Sequence, residues 1–199
     1  LKEGFEYVFS KKDIKILILF VGLFSFIAYT YPILMPIYTK DILSSNADIL
    51  GYLMGTAGIG ALFSSVLLAS KTTLIGLRRI LCIGALFLSF GFIMLGFNNE
   101  IILSFIFLFC IGLGMNATVT PDNMLLQTIV DDDKRGRVMS IYTIFFQGTN
   151  SLSSFISGSL GHIIGIQNTM IIYGIIMFLA LIVFIPRISK LCIKNNQVS

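Results

Sequence analysis

Six apolar runs, each long enough to cross a lipid bilayer, constrain the fold of this chain more than any other feature of its sequence. A membrane-spanning helix needs about 20 apolar residues to cross a hydrocarbon core about 30 Å thick. Runs of this length are too long for strands, and a backbone in lipid has to satisfy its own hydrogen bonds, so each run is predicted to be a helix. The predicted spans are residues 14–38, 49–70, 80–97, 101–120, 138–163 and 170–185.

Composition agrees with lipid as the solvent around these helices. Of the 199 residues, 56% are hydrophobic and only 12% are charged, whereas a soluble domain carries about 25% charged residues. A mean hydropathy of +0.92 excludes a disordered chain, and the spans exclude a soluble nucleic-acid-binding protein despite the net charge of +4. The sequence therefore predicts an all-α membrane protein, with six transmembrane helices in a single domain over residues 1–199.

Lysine and arginine residues lie almost entirely in alternate loops between the predicted spans. One side of the membrane would hold 13 of the 14 basic residues, and the other side would hold Lys40. The 13 are Lys2, Lys11, Lys12, Lys15, Lys71, Arg78, Arg79, Lys134, Arg135, Arg137, Arg187, Lys190 and Lys194. Because loops rich in lysine and arginine stay on the cytoplasmic side, both termini are predicted to be cytoplasmic, including a tail over residues 186–199.

Polar side chains are concentrated in the first, fourth and fifth spans. The third and sixth spans are almost wholly apolar and are predicted to face lipid, whereas amides inside a membrane face a bundle interior or a water-filled cavity. In the fifth span, polar and small residues recur every three or four positions and form one helical stripe: Thr143, Gln147, Asn150, Ser154, Ser157 and Gly161. The candidate residues of a substrate cavity are Tyr29, Asn116, Thr143, Gln147 and Asn150. The alternative is that Gln147 and Asn150 hydrogen-bond one helix to another.

Small residues and prolines predict local features of four spans. Glycines spaced three or four residues apart let helices approach closely, and the predicted helix-packing glycines are Gly51, Gly55, Gly58, Gly158 and Gly161. Pro32 and Pro36 are expected to kink or end the first span. Near the cytoplasmic end of the fourth span, Pro121 is followed by Asp122, which is interpreted as the cap of a short helix rather than as a proton carrier.

The stretch QTIVDDDKRGRVMS (127–140) is the most charged part of the chain and is predicted to be a cytoplasmic turn between the fourth and fifth spans. One interpretation is structural: Asp131–Asp133 would cap the next helix, while Arg135 and Arg137 would contact lipid headgroups. No metal site or cofactor is predicted. The three cysteines show no ligand-like spacing, and His162 is the single histidine.

Four segments of the chain resemble the C-terminal half of a major facilitator superfamily transporter, in the bacterial branch of enterobactin-exporter-like and macrolide-efflux-like proteins. They are LKEGFEYV at the start, LMPIYTKDIL, LGYLMGTAGIGAL and, most specifically, NMLLQTIVDDDKRGRVMSIY with the FFQG that follows. The resemblance covers residues 1 to about 187. It departs from the branch at Asp131 and near Ser151 and Ser153, where prolines or glycines are common, and in the loop after the second span, where no aspartate accompanies Gly76, Arg78 and Arg79.

The resemblance implies a fold and a function. It implies six helices arranged as three plus three, which form one half of a twelve-helix transporter in a bacterial inner membrane. It also implies proton-driven export of a small amphipathic molecule such as a drug or siderophore. A cytoplasmic gate would use Asp132, Arg135 and Arg137, and the partners would be the lipid bilayer, the small-molecule substrate and an N-terminal six-helix half from the same polypeptide or from a partner chain. If transport is proton-coupled, the carrier is expected in that other half.

Other interpretations share part of this pattern. The chain starts at Leu1 without a signal peptide, which suggests a piece of a longer protein or an unusual start codon. It could also be an inactive remnant, or a split-gene subunit that needs a partner half. A membrane enzyme is disfavoured because DDDKR has no second aspartate cluster with which to share a metal. A six-span ABC permease is disfavoured because loops of about ten residues cannot reach an ATPase.

Overall fold

The structure is a computed structural model that describes residues 2–69 and 73–189. Its α-helices are α1 Lys2–Ser10, α2 Lys12–Ala28, α3 Tyr31–Ile37, α4 Ala47–Ala69, α5 Leu74–Phe97, α6 Ile101–Ile129, α7 Arg135–Ile164 and α8 Ile166–Ser189. A π-helical turn, Tyr38–Ile42, continues α3. No residue in the described ranges belongs to a strand, and the predicted all-α class is confirmed.

Five stretches of the described chain are long and apolar enough to cross a membrane. They are Lys12–Ile42, Ala47–Ala69, Ile75–Phe97, Ile101–Ile129 and Ile166–Ile188. Helix α7 is the most polar of the long helices, yet its 30 residues extend over about 45 Å, more than the thickness of the hydrocarbon core. With α7, the described part of the chain contains six long helical elements, the same number as the predicted spans.

Several predicted boundaries differ from the ends of the helices in the structure: α5 and α8 begin before residues 80 and 170, and the first span and α6 end later than predicted. The predicted tail begins at residue 186, but α8 continues to Ser189 with Pro186 inside its last turns. Residues 190–199, like Ser70 at the end of the second predicted span, lie outside the described residues. The predicted fourth span ends at Thr120, whereas α6 continues to Ile129.

A break between α2 and α3 lies at the prolines, as the sequence predicts. Pro32 has no N–H to donate to the carbonyl of Ala28, so the regular helix ends there. At the same break the Thr30 N–H bonds to the carbonyl of Ile27 instead of Phe26, and the Thr30 hydroxyl donates to the carbonyl of Phe26 at 3.1 Å. Pro36 lies inside α3 and precedes the π-helical turn. The first span is therefore a bent element that ends near residue 42.

Helix α6 packs between α4 and α5, and glycines let both helices approach it closely. A Cβ at Gly112 would overlap the backbone of Ala57 in α4, and a Cβ at Gly60 would overlap the backbone of α6 at Phe109. On the other side of α6, Gly114 lies equally close to Gly84 and Leu88 of α5. These contacts hold α4 and α5 against opposite sides of α6.

A buried polar cluster closes the end of the bundle opposite the charged turn. The hydroxyl of Tyr38 donates to the carbonyl of Asn98 at 2.8 Å, and the Asn98 amide donates to Ser104 at 2.8 Å. From α8, Gln167 donates to the side chain of Asn99 at 2.9 Å. Three separate parts of the chain are tied together at this end.

Candidate functional site

A cavity of about 250 Å³ opens between α2, α3, α4 and α6. Its walls are Tyr29, Tyr31, Ala57, Gly58, Ala61, Gly112, Met115, Asn116 and Val119. Two of the five predicted cavity residues, Tyr29 and Asn116, therefore lie in one cavity. The Tyr29 ring packs edge-on against Phe146 of α7, with 5.3 Å between the ring centres. Small side chains leave the space, and aromatic rings bound one side of it.

The Asn116 amide is held in place by contacts across the cavity floor. Its amide nitrogen donates to the carbonyl of Ala61 at 3.1 Å and to the hydroxyl of Ser65 at 2.7 Å, both on α4. Its side-chain oxygen accepts a hydrogen bond from Thr120 at 2.9 Å. With these bonds made, Asn116 fixes α4 against α6 and presents a polar edge to the cavity.

The three α7 candidates do not line this cavity. Thr143 and Gln147 are exposed and Asn150 is half-buried, while the buried positions of α7 include Tyr142, Ser153 and Ser157. The predicted stripe therefore divides, because α7 packs through a face that is rotated away from the amides. The two amides lie on a face of α7 that the other described helices leave at least partly uncovered.

A seam of hydroxyl groups fills the buried face of α7 and joins it to the first span and to α8. Thr30 hydrogen-bonds Ser153 at 2.7 Å and Ser157 at 3.0 Å. Ser157 in turn hydrogen-bonds the Tyr173 hydroxyl of α8 at 2.9 Å. Further along the seam, Ser25 hydrogen-bonds Thr149. These bonds act as attachments between the three helices.

Asp122 differs most from its predicted role. It is not the cap of a short helix, because α6 is continuous from Ile101 to Ile129 through Pro121. The carboxyl group is fully buried, and neither oxygen has a hydrogen-bond partner among the described residues. Tyr142 of α7 lies close enough to interact with it electrostatically. Seven residues, or about 10 Å of helix, separate this carboxyl from the last residue of α6.

The charged turn between α6 and α7 is held by local ion pairs. Arg135 pairs with Asp132, and Lys134 pairs with Asp133 at 3.3 Å. The aspartates do not cap α7, because the residue at its N-cap is Lys134 and no side chain caps the helix there. Two of the three predicted gate residues, Asp132 and Arg135, are therefore in direct contact.

Helix α1 is attached to the same turn. The Tyr7 hydroxyl donates to the Asp131 carboxylate at 2.8 Å, and a Cβ at Gly4 would lie against Arg137 and Ile141 of α7. Partial burial, followed by the hydrogen bond to Asp131, raises the pKa of the Tyr7 phenol. The segment before the first span thus rests on the loop that the gate hypothesis invokes.

Most of the predicted packing glycines have no neighbouring helix against them in the described chain. A Cβ at Gly51, Gly55, Gly58 or Gly158 would meet no neighbouring atom within 4 Å, while one at Gly161 would touch Leu34. The close crossings inside the chain use other glycines, such as Gly60 and Gly112. Spacing alone could not separate the two sets, since both recur at helical intervals.

Sequence reasoning missed the hydroxyl seam and the burial of Asp122. A signal for the seam was present, because Ser25 and Thr30 in the first span and Thr149, Ser153 and Ser157 in the fifth all carry hydroxyl groups. A signal for Asp122 was its place one residue after a proline within an apolar run. Among the described residues, no group of three histidine, cysteine or acidic side chains could hold a metal ion.

Comparison with known proteins gives a family match and a relative that each cover most of the chain. The family model of transmembrane secretion effectors matches residues 1–197. A Staphyloferrin A transporter of Staphylococcus aureus (strain NCTC 8325 / PS 47) is 28% identical over 173 residues, which are 85% of this chain and 43% of that protein. The chain thus spans less than half the length of this curated relative. No solved structure matches the chain significantly.

Proposed function

Because this chain belongs to the transmembrane secretion effector family of the major facilitator superfamily, we propose that it is one six-helix half of a secondary transporter. Transporters of this architecture consist of two halves around a site near the bilayer midplane. The six long helices are sufficient for one half, and the match to 43% of a curated transporter supports the same division. The second half would come from the same polypeptide or from a partner chain.

The observation that carries the proposal is a set of exposed polar side chains on α7, in a bundle whose helices are otherwise apolar. Gln147 and Thr143 are exposed on α7, and the cavity beside Tyr29 and Asn116 opens between α2, α3, α4 and α6. Amide groups exposed to hydrocarbon cost free energy, so such side chains face a protein partner or a water-filled cavity. A second half over this face would enclose a polar site between the two bundles.

The residues that line the cavity and the matched relative both indicate a class of substrate. Aromatic rings, small side chains and a few amides suit a small amphipathic molecule with polar groups. The matched relative is a Staphyloferrin A transporter, which favours a siderophore-like substrate over a drug. The proposed direction is export, in a bacterial inner membrane with both termini in the cytoplasm.

Proton coupling is part of the proposal, and Asp122 changes where its carrier is sought. Coupling needs a titratable group within the membrane, and the sequence suggested none in this half. A carboxyl group that is fully buried in α6 and lacks hydrogen-bond partners among the described residues makes Asp122 the candidate in this chain. Tyr142 of α7 lies within range of an electrostatic interaction with this carboxyl group.

The charged turn is proposed to bias the two transport conformations. The Asp132–Arg135 pair is exposed, and such a pair contributes about 0–1 kcal/mol. That contribution is small for stability, but it shifts the populations of two conformations of near-equal free energy. Arg137, which borders α1 at Gly4, is proposed as the third gate residue.

The test of the proposal is transport by amide variants of the protein in its native membrane. We expect Gln147→Ala and Asn150→Ala each to lower export several-fold while the amount of folded protein in the membrane stays unchanged. The matched control is Ser159→Ala, because Ser159 is also exposed on α7 and its hydroxyl bonds to its own helix at Phe155. Full transport by both amide variants would remove the cavity hypothesis for α7.

A further inference from the structure

A second groove, separate from the polar face, lies between the beginning of α5 and the end of α8. Its volume is about 380 Å³, and its walls are Ile75, Arg78, Arg79, Cys82, Ile83, Ile185 and Ile188. None of these residues lines the cavity beside Asn116. The groove therefore lies on the side of the bundle that the apolar helices α5 and α8 form.

Both charged residues that line this groove lie in its outer half, between Ile75 and Cys82 on α5. Arg78 and Arg79 occupy the second turn of α5, and no acidic side chain is among the lining residues. Each guanidinium presents several N–H donors in a planar fork, which matches the oxygens of a phosphate. The α5 N-terminus carries a partial positive charge and adds to this field. The mouth of the groove thus favours an anionic group.

The rest of the groove is apolar and lies deeper in the bilayer. The membrane-crossing stretch of α5 begins at Ile75 and that of α8 ends at Ile188, so the arginines lie near the boundary of the hydrocarbon core. Ile83 is one turn further along α5 than Arg79, and its side chain is 51% exposed. From the interface inward, the groove changes from cationic to hydrocarbon-like over about 6 Å of helix.

We propose that this groove binds one anionic phospholipid of the surrounding leaflet. Its phosphate would contact Arg78 and Arg79, and one acyl chain would lie along Ile83 and Ile185. Charge complementarity and position select this occupant, since an anionic group at the interface joined to a hydrocarbon chain below it is the chemistry of such a lipid. Zwitterionic lipids carry the same chains without a net negative charge and would bind less tightly.

The test measures lipid binding by the protein after it has been expressed in membranes, purified in detergent and stripped of bound lipid. Native mass spectrometry would count the dioleoylphosphatidylglycerol molecules retained, and dioleoylphosphatidylcholine would serve as the uncharged comparison. We expect one tightly bound phosphatidylglycerol, with an affinity reduced about tenfold or more in the R78Q/R79Q double variant, since each basic residue near the surface contributes about 1 kcal/mol. The matched control is R135Q/R137Q, which removes the same charge at the same end of the molecule but away from the groove.

Two further measurements keep the proposal falsifiable if the double variant folds poorly. Ile83→Trp keeps both arginines and fills the apolar part, so it should also weaken phosphatidylglycerol binding. With the other two cysteines replaced, phosphatidylglycerol should slow the labelling of Cys82 by a thiol reagent, because Cys82 lines the groove. Equal losses in R78Q/R79Q and R135Q/R137Q, or unchanged binding in Ile83→Trp, would overturn the proposal. Transport is not needed for any of these readouts, so their failure would leave the transporter proposal unaffected.

Discussion

Asp122 is the single residue whose environment most departs from what its side chain prefers. The described helices bury it completely without any contribution from a second half, and its oxygens find no hydrogen-bond donor among them. An ionised carboxylate in such a place loses its hydration without compensation, which costs several kcal/mol. Ionisable groups that are buried at a cost to stability are typical of functional residues in membrane spans.

This leads to a prediction for the Asp122→Asn variant. The amide has nearly the same shape and no charge, so we expect the free energy of unfolding to stay the same or to rise by about 1–2 kcal/mol. Thermal unfolding of the detergent-solubilised protein at neutral pH measures this as an unchanged or higher Tm. Proton-coupled export by the same variant should be lost.

The control for this variant is Asp132→Asn in the charged turn. Asp132 is exposed and pairs with Arg135, so its substitution should lower the Tm slightly or not at all. A clear drop in the Tm of Asp122→Asn would show that the native carboxylate has stabilising partners, and would contradict the interpretation of Asp122 as a carboxyl group that destabilises the bundle.

At the scale of the helices, the crossing of α4 and α6 depends on the absence of side chains. Gly112 lies against the backbone of Ala57, and Gly60 lies against α6 at Phe109. In a membrane, helices associate through close packing and hydrogen bonds rather than through hydrophobic burial. The Asn116 bonds to Ala61 and Ser65 form only while the two backbones stay this close.

We therefore expect Gly112→Ala to destabilise the protein by about 1–3 kcal/mol, the usual cost of overpacking. The matched control is Gly136→Ala near the start of α7, where a Cβ would meet nothing within 4 Å. There the substitution should stabilise the helix by up to about 1 kcal/mol, because alanine has the higher helix propensity. Thermal unfolding of the two variants should thus shift the Tm in opposite directions, and equal shifts would argue against the close crossing.

At the scale of the whole molecule, the bundle has two unlike sides. Helices α5 and α8 pack together, with Ser89 donating to the carbonyl of Gly174 at 2.8 Å, and expose rows of large apolar side chains such as Phe90 and Leu179. The other side carries the α7 amides and the cavity at Asn116. The side formed by α5 and α8 suits lipid, and the side with the amides is the one on which the proposed second half would pack.

The orientation of the bundle can be tested with two introduced cysteines. Ser44 lies between the π-helical turn and α4, and Asp133 lies in the charged turn; both are exposed. We expect a membrane-impermeant thiol reagent to label Ser44→Cys in intact cells, and to label Asp133→Cys only after the cells are permeabilised. The unsubstituted protein measures the background from native cysteines. Labelling of both positions from the same side would exclude the proposed six-span topology.

The lipid surroundings, the all-α class and the bend in the first span could all be predicted from the sequence. Long apolar runs leave a backbone in lipid no alternative to helix, and Pro32 removes a backbone donor whatever surrounds it. The family resemblance also rested on sequence alone, because its motifs are continuous segments such as DDDKRGRVMS. These properties depend on local chemistry, which a single stretch of residues contains.

The packing of the helices decides which polar and small residues contact one another. The seam of Thr30 with Ser153 and Ser157, the burial of Asp122 and the use of Gly60 and Gly112 for close crossings all depend on how each helix is rotated about its axis. In a membrane, where lipid is as apolar as the protein, hydrophobic periodicity does not set that rotation. It is set by backbone contacts and hydrogen bonds between segments more than 50 residues apart in the chain, and these arise only when the helices pack.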